Sequence, residues 1–159
     1  DTIASTEKQF SDLLYNSFVS DISFNPNNSL LNEMLNSGSL KDLSNPQLRI
    51  DLTNWISTLD DIGKQEKELA LQREKVLDMF RKEENSIRTI FDFARVNEEL
   101  GIPEGLQVSS NLHLLNSKEF ENNILTFILT AYATEKAHYI PLMQSLDSIL
   151  ELLESEIKE

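Results

Sequence analysis

The sequence predicts an all-α fold: an elongated helical bundle dominated by two long antiparallel helices, about 46–100 and 118–157, preceded by an N-terminal helix and a short helix. Three observations predict it. Apolar residues recur at helical spacing in every long segment. No proline occurs from Gln47 to Ile102. Acid-before-base pairs at i, i+4, such as Asp60–Lys64, Asp78–Lys82 and Glu84–Arg88, support helix along the same stretch. The length suits one domain, 1–159, and forty helical residues span about 60 Å, hence the elongated expectation.

Phe10, Leu13, Leu14 and Phe18 form one stripe of a first helix over about 5–21. Phe24-Asn25-Pro26-Asn27-Asn28 breaks it. Asn28 or Ser29 then caps a short helix carrying Leu30, Leu31, Met34 and Leu35, and Gly38 suits the left-handed position that ends it. The long helix starts at Asn45-Pro46, a cap followed by a proline where the missing N–H costs nothing. Its apolar positions run from Leu48 through Trp55, Ile62, Leu69 and Val76, and the periodicity predicts helix to about 83, continued or kinked to about 100. Trp55 lies on the apolar stripe with Leu52, Ile56 and Leu59, which predicts core packing. Gly101-Ile102-Pro103 is the stop signal.

Residues 102–117 carry Leu106, Val108, Leu112, Leu114 and Leu115, so a packed strap is expected there. Ser117 caps the last helix. Its 124–133 segment, Ile-Leu-Thr-Phe-Ile-Leu-Thr-Ala-Tyr-Ala, is apolar all round, which predicts burial on several sides, as the central helix of a bundle or in a dimer interface. The expected buried centre is this segment packed on Leu52–Leu59 and the first helix. Pro141 is expected to kink the helix without ending it, because Leu142, Leu146, Ile149, Leu153 and Ile157 resume the stripe.

Composition excludes several functions. There are 14 Lys+Arg against 27 Asp+Glu, a net charge of −13, and eight of the basic residues lie interleaved with acids between Lys64 and Arg95. That argues against nucleic-acid binding, which needs a basic face. Zero cysteines exclude disulfides, thiolate metal sites and cysteine nucleophiles. The charge-free stretch Asn122–Thr134 is 13 residues, short of the roughly 20 needed to cross a bilayer. Asp1-Thr2-Ile3-Ala4-Ser5 has neither a basic nor an apolar leader region and no initiator Met, which reads as a piece of a longer chain.

Catalytic motifs are thin. No Gly-x-Ser-x-Gly and no glycine-rich phosphate loop occurs. Glu135-x-x-His138 would place a carboxylate and an imidazole on one helix face, as di-iron bundles do twice over. The only other histidine, His113, follows Ser110 at that spacing, so the second pair is missing. Glu135, His138 and His113 are the only metal-ligand candidates, and the reading is that they hold none. No cofactor is expected, and no enzymatic activity.

Pro26-Asn27-Asn28-Ser29-Leu30-Leu31-Asn32-Glu33-Met34-Leu35-Asn36-Ser37-Gly38-Ser39-Leu40-Lys41-Asp42-Leu43-Ser44-Asn45-Pro46-Gln47-Leu48-Arg49 carries a family likeness. A short helix ending in Ser-Gly, a connection with Leu40 and Leu43, and Asn-x-x-Leu-Arg opening a long helix resemble an uncharacterised family of small Gram-negative bacterial proteins. The run Phe120-Glu121-Asn122-Asn123-Ile124-Leu125 is similar to that family's last helix. Its members have one N-terminal transmembrane helix and a helical extracytoplasmic domain. The resemblance therefore implies a periplasmic domain anchored to the inner membrane through a helix absent from these residues, and it carries over no catalytic residue.

Two function classes follow. The first is a non-enzymatic interaction or scaffolding domain with a protein partner or self-association. The alternative is a helical sensor domain binding a small ligand between helices.

Overall fold

The computed structural model describes Thr2–Lys158, with side chains from Thr6 onwards. The fold is all-α, with no strand among the described residues. The helices are α1 (Thr2–Phe18), α2 (Ser29–Ser37), α3 (Pro46–Met79), α4 (Ile87–Phe93), α5 (Val96–Leu100), α6 (Lys118–Thr134) and α7 (Ile140–Lys158). Short 3₁₀ turns lie at Ser39–Asp42 and Leu112–Asn116, and a π-turn, Glu135–Tyr139, joins α6 to α7.

Local chemistry places most boundaries. Gly38 ends α2 at φ +73°, the left-handed cap expected of it. The Asn45 side chain accepts from the N–H groups of Gln47 at 2.9 Å and Leu48 at 3.2 Å, satisfying two free donors at the start of α3. Ser117 likewise accepts from Phe120 N–H at 3.3 Å. Pro141 does not end the last helix, which turns wide just before it. The Ile140 N–H donates to the Glu135 carbonyl, one residue beyond the α-helical partner.

The first long helix is not continuous to residue 100. It stops at Met79, and α4 and α5 follow as separate short helices. The last turn tightens: Phe80, Arg81 and Lys82 N–H groups each donate to a carbonyl three residues back. The Asn85 side chain then donates to the Met79 carbonyl at 2.6 Å. Ser86 is extended, and its hydroxyl accepts from Thr89 N–H at 3.1 Å, so it caps α4. α1 also ends earlier than expected, at Phe18, whose carbonyl accepts from Arg73 Nε at 2.9 Å.

The chain divides into two compact units, each built from two separate stretches. One takes the chain up to Ile22 and Leu69–Thr130; the other takes Ser23–Glu68 and the chain from Ala131 onwards. In the first unit Leu14 and Phe18 of α1 pack on Val76 and Met79 of α3, on Ile90 of α4, and on Phe80, Leu114 and Phe120. Phe10, Phe80 and Phe120 form a triangle of rings with centroids 6.0–6.3 Å apart. In the second unit Leu48, Trp55 and Ile62 of α3 pack on Leu142 and Ile149 of α7. Trp55 is buried as expected; its ring N–H reaches the Asn28 side chain at 3.2 Å, and it forms a T-shaped pair with Phe24. The expected single buried centre is corrected to two cores: Leu52, Ile56 and Leu59 pack in the second unit's cluster with α7, and Ile124 and Phe127 pack in the first unit's cluster with α1.

Helix directions oppose within each unit. In the second, Ser44 bonds to Glu156 while Glu66 bonds to Tyr139. In the first, Met79 meets Asn123 and Lys82 meets Glu119. Leu48, Leu52, Trp55, Leu59, Ile62, Glu66, Leu69, Arg73, Val76 and Phe80 follow the alternating 4-3 spacing of a coiled-coil seam, as do Leu142, Leu146, Ile149, Leu153 and Glu156. Three seam positions are charged. Each is answered: Glu66 by Tyr139 and Phe24 N–H, Arg73 by the Phe18 carbonyl and Asp21, Glu156 by Ser44 and Asn45.

The strap is held differently from its expected apolar packing. Leu114 is buried and Leu112 half-buried, but Leu106, Val108 and Leu115 are exposed. Its anchors are polar. Buried Glu7 of α1 accepts from Asn111 N–H at 3.1 Å and from the Ser110 hydroxyl at 2.5 Å. The fully buried Asn111 side chain accepts from Ser86 N–H and donates to the Ser86 carbonyl, both at 2.8 Å. Thr89 completes the network with a hydrogen bond to the Ser109 carbonyl at 2.7 Å.

Candidate interaction surface

Helix α6 carries two apolar faces. Phe120, Ile124 and Phe127 turn inward onto the first unit's core, and Phe127 stacks against Phe18 with centroids 4.8 Å apart. Leu125, Ile128 and Leu129 point the other way and are 56%, 54% and 68% exposed. Tyr132, on the last turn of the same helix, is exposed as well. The spacing i, i+3, i+4, i+7 makes these four one continuous ridge.

The central-helix expectation for 124–133 is therefore corrected: within this chain the segment is covered on one face. An α-helix apolar all round needs neighbours all round, and this chain supplies them only on the face that carries Phe120 and Phe127. The ridge is also less polar than its sequence suggests. Thr126 and Thr130 donate their hydroxyls to the carbonyls of Asn122 and Thr126 at 2.8 and 2.9 Å, so both hydroxyls are satisfied within the helix. Exposed apolar groups occurring singly are ordinary, whereas these four lie on consecutive turns of one helix. The signal was present in the sequence as the apolar segment itself; which faces are covered depends on residues far away along the chain.

The metal-ligand candidates are not brought together into a site. Glu135 and His138 both lie in the π-turn, whose wider winding takes an i, i+3 pair off the shared face that an α-helix would give it. Glu135 is exposed and lies 3.6 Å from Lys136. His138 is half-buried, on the same turn as Tyr139. His113 belongs to the first unit, is exposed, and approaches the Ser110 carbonyl through Nδ1 at 3.2 Å. Among the described residues, no three His, Asp or Glu side chains are grouped so as to hold a metal ion.

Two polar centres had no sequence signal. Glu7 is a buried carboxylate whose partners lie 103 and 104 residues away. Glu66 accepts from Phe24 N–H at 2.6 Å and from the Tyr139 hydroxyl at 2.5 Å. Burial, reinforced by that carboxylate, pushes the Tyr139 phenol well above the ordinary tyrosine range. Both centres fasten helices and segments distant in sequence. No helix among the described residues is long and apolar enough to cross a membrane. No family model, no curated protein and no solved structure matches the chain.

Proposed function

We propose that this chain is a non-enzymatic helical interaction domain whose contact surface is the outer ridge of α6. The observation that carries the reading is Leu125, Ile128, Leu129 and Tyr132, each more than half exposed, within a charge-free stretch of 13 residues on a chain of net charge −13. A second copy is the first partner to consider. Two such acidic molecules repel through most of their surfaces, and an uncharged apolar ridge is where approach costs least. The family resemblance of residues 26–49 supports a periplasmic setting, with an anchor in the inner membrane holding neighbouring copies at high local concentration.

Sedimentation of the wild type and of an Ile128→Asp, Leu129→Asp double variant tests this. The expected result is a concentration-dependent dimer in the wild type and a monomer in the variant, with equal helix content by circular dichroism. A wild type that stays monomeric into the millimolar range, or a variant that dimerises as well as the wild type, refutes self-association through α6.

A further inference from the structure

The first unit contains a cleft of about 240 Å³ at the end of its core. α1 forms one wall with Leu14, Tyr15 and Phe18, the last turns of α3 form the floor with Leu77, and α4 forms the opposite wall with Ile90 and Phe91. Val19 and Ile87 stand at its rim, 48% and 42% exposed. A closed cavity of about 150 Å³ lined by such groups takes benzene, so this cleft has room for roughly ten non-hydrogen atoms.

We propose that this cleft binds a small, neutral, aromatic or short aliphatic molecule. Its lining decides the class. Arg73 is the one charged residue in the wall, and its guanidinium is already engaged: Nε donates to the Phe18 carbonyl at 2.9 Å, and Nη1 pairs with Asp21 at 2.9 Å. An anionic ligand would have to displace Asp21 or lie beside it. A cationic ligand would face Arg73 itself. A neutral ring meets Phe18, Phe80 and Phe91 and displaces water held only weakly by an apolar surface. A long acyl chain exceeds the volume. A ligand held between helices is also what the sensor alternative requires, and this site is independent of the α6 ridge.

The test is an NMR titration of the whole chain with indole as probe, and with octanoate and tryptamine as anionic and cationic comparators. Indole is expected to give saturable shifts at the amides of Val19, Leu77, Ile87 and Phe91, with Kd of about 1 mM or tighter. Both comparators are expected to bind at least tenfold more weakly. Val19→Trp and Ile87→Trp, at the rim and outside the packed core, are expected to weaken indole at least tenfold while leaving the melting temperature unchanged. The proposal is overturned by indole shifts that never saturate or spread over the whole chain, by a comparator binding as tightly, or by rim variants without effect. It is equally overturned if the cleft amides shift with protein concentration alone, which would seat a second copy there.

Discussion

Asn111→Ala removes the side chain that ties the strap to both backbone groups of Ser86, the residue that caps α4. Asn111 is fully buried, and its amide answers both backbone groups of Ser86, N–H and C=O, at 2.8 Å each. Truncation leaves those two groups without a partner. An unsatisfied buried polar group costs about 1–3 kcal/mol. Ser86 is only half-buried, so water recovers part of the loss, and about 2–4 kcal/mol in total is the expected destabilisation. An unfolding entropy of about 2.1 cal/mol/K per residue over 159 residues converts this to a fall in Tm of about 6–12 °C for cooperative melting of the whole chain. The backbone N–H of Asn111 still reaches Glu7 in the variant, so the strap is loosened at α4 while its tie to α1 survives. Calorimetry gives Tm, and hydrogen exchange localises the effect, with protection expected to fall first at Ser86 and Thr89. A companion Leu106→Ala, at a fully exposed strap position, should leave Tm unchanged. An Asn111→Ala variant melting within about 2 °C of the wild type would mean that the polar network does not hold this unit together.

Two further predictions concern charged seam positions. Tyr139→Phe removes the hydroxyl that donates to Glu66 and should cost about 1.5–3 kcal/mol, a hydrogen bond to a charged group; in the wild type, absorbance titration should show one of three tyrosines ionising at distinctly higher pH than the others. Because that phenol's affinity for its proton is raised on folding, its stabilisation is complete below about pH 10 and is lost as pH rises beyond. For Glu156, hydrogen bonds from the Ser44 hydroxyl and the Ser44 and Asn45 N–H groups hold the carboxyl below its ordinary range. The sign is opposite: its stabilisation is present above about pH 4.3 and lost as pH falls through the depressed value, so Glu156→Gln should lower Tm at pH 7 and make no difference in strong acid.

The features legible in the sequence were those set by neighbours along the chain. Asn45-Pro46, Ser117 and Gly38 cap helices through backbone chemistry within three residues, and Pro141 acts on its own turn. The break after Met79 was not legible. Arg81-Lys82-Glu83-Glu84 contains neither Gly nor Pro and has good helix propensity, yet Ser86 is held extended by Asn111, 25 residues away. The α6 ridge was half legible: the segment's apolarity was plain, but its exposure depends on where α1 and α3 run. Glu7 reads as an ordinary surface acid on an amphipathic helix, and only the arrival of Ser110 and Asn111 makes its burial tolerable.

That late arrival has a consequence for biosynthesis. Each compact unit is discontinuous in sequence, so neither can be made as a contiguous segment. α1 is made before every segment it packs on, and its Glu7 waits for partners 103 and 104 residues downstream, about 5–20 s at common translation rates. Phe10, Leu14 and Phe18 gain Val76, Met79 and Phe80 only when the end of α3 is made, and Leu114 and Phe120 later still. The nascent chain therefore carries an amphipathic helix whose core stays incomplete until α6 is made. Holdase binding during that interval should raise the yield of this protein.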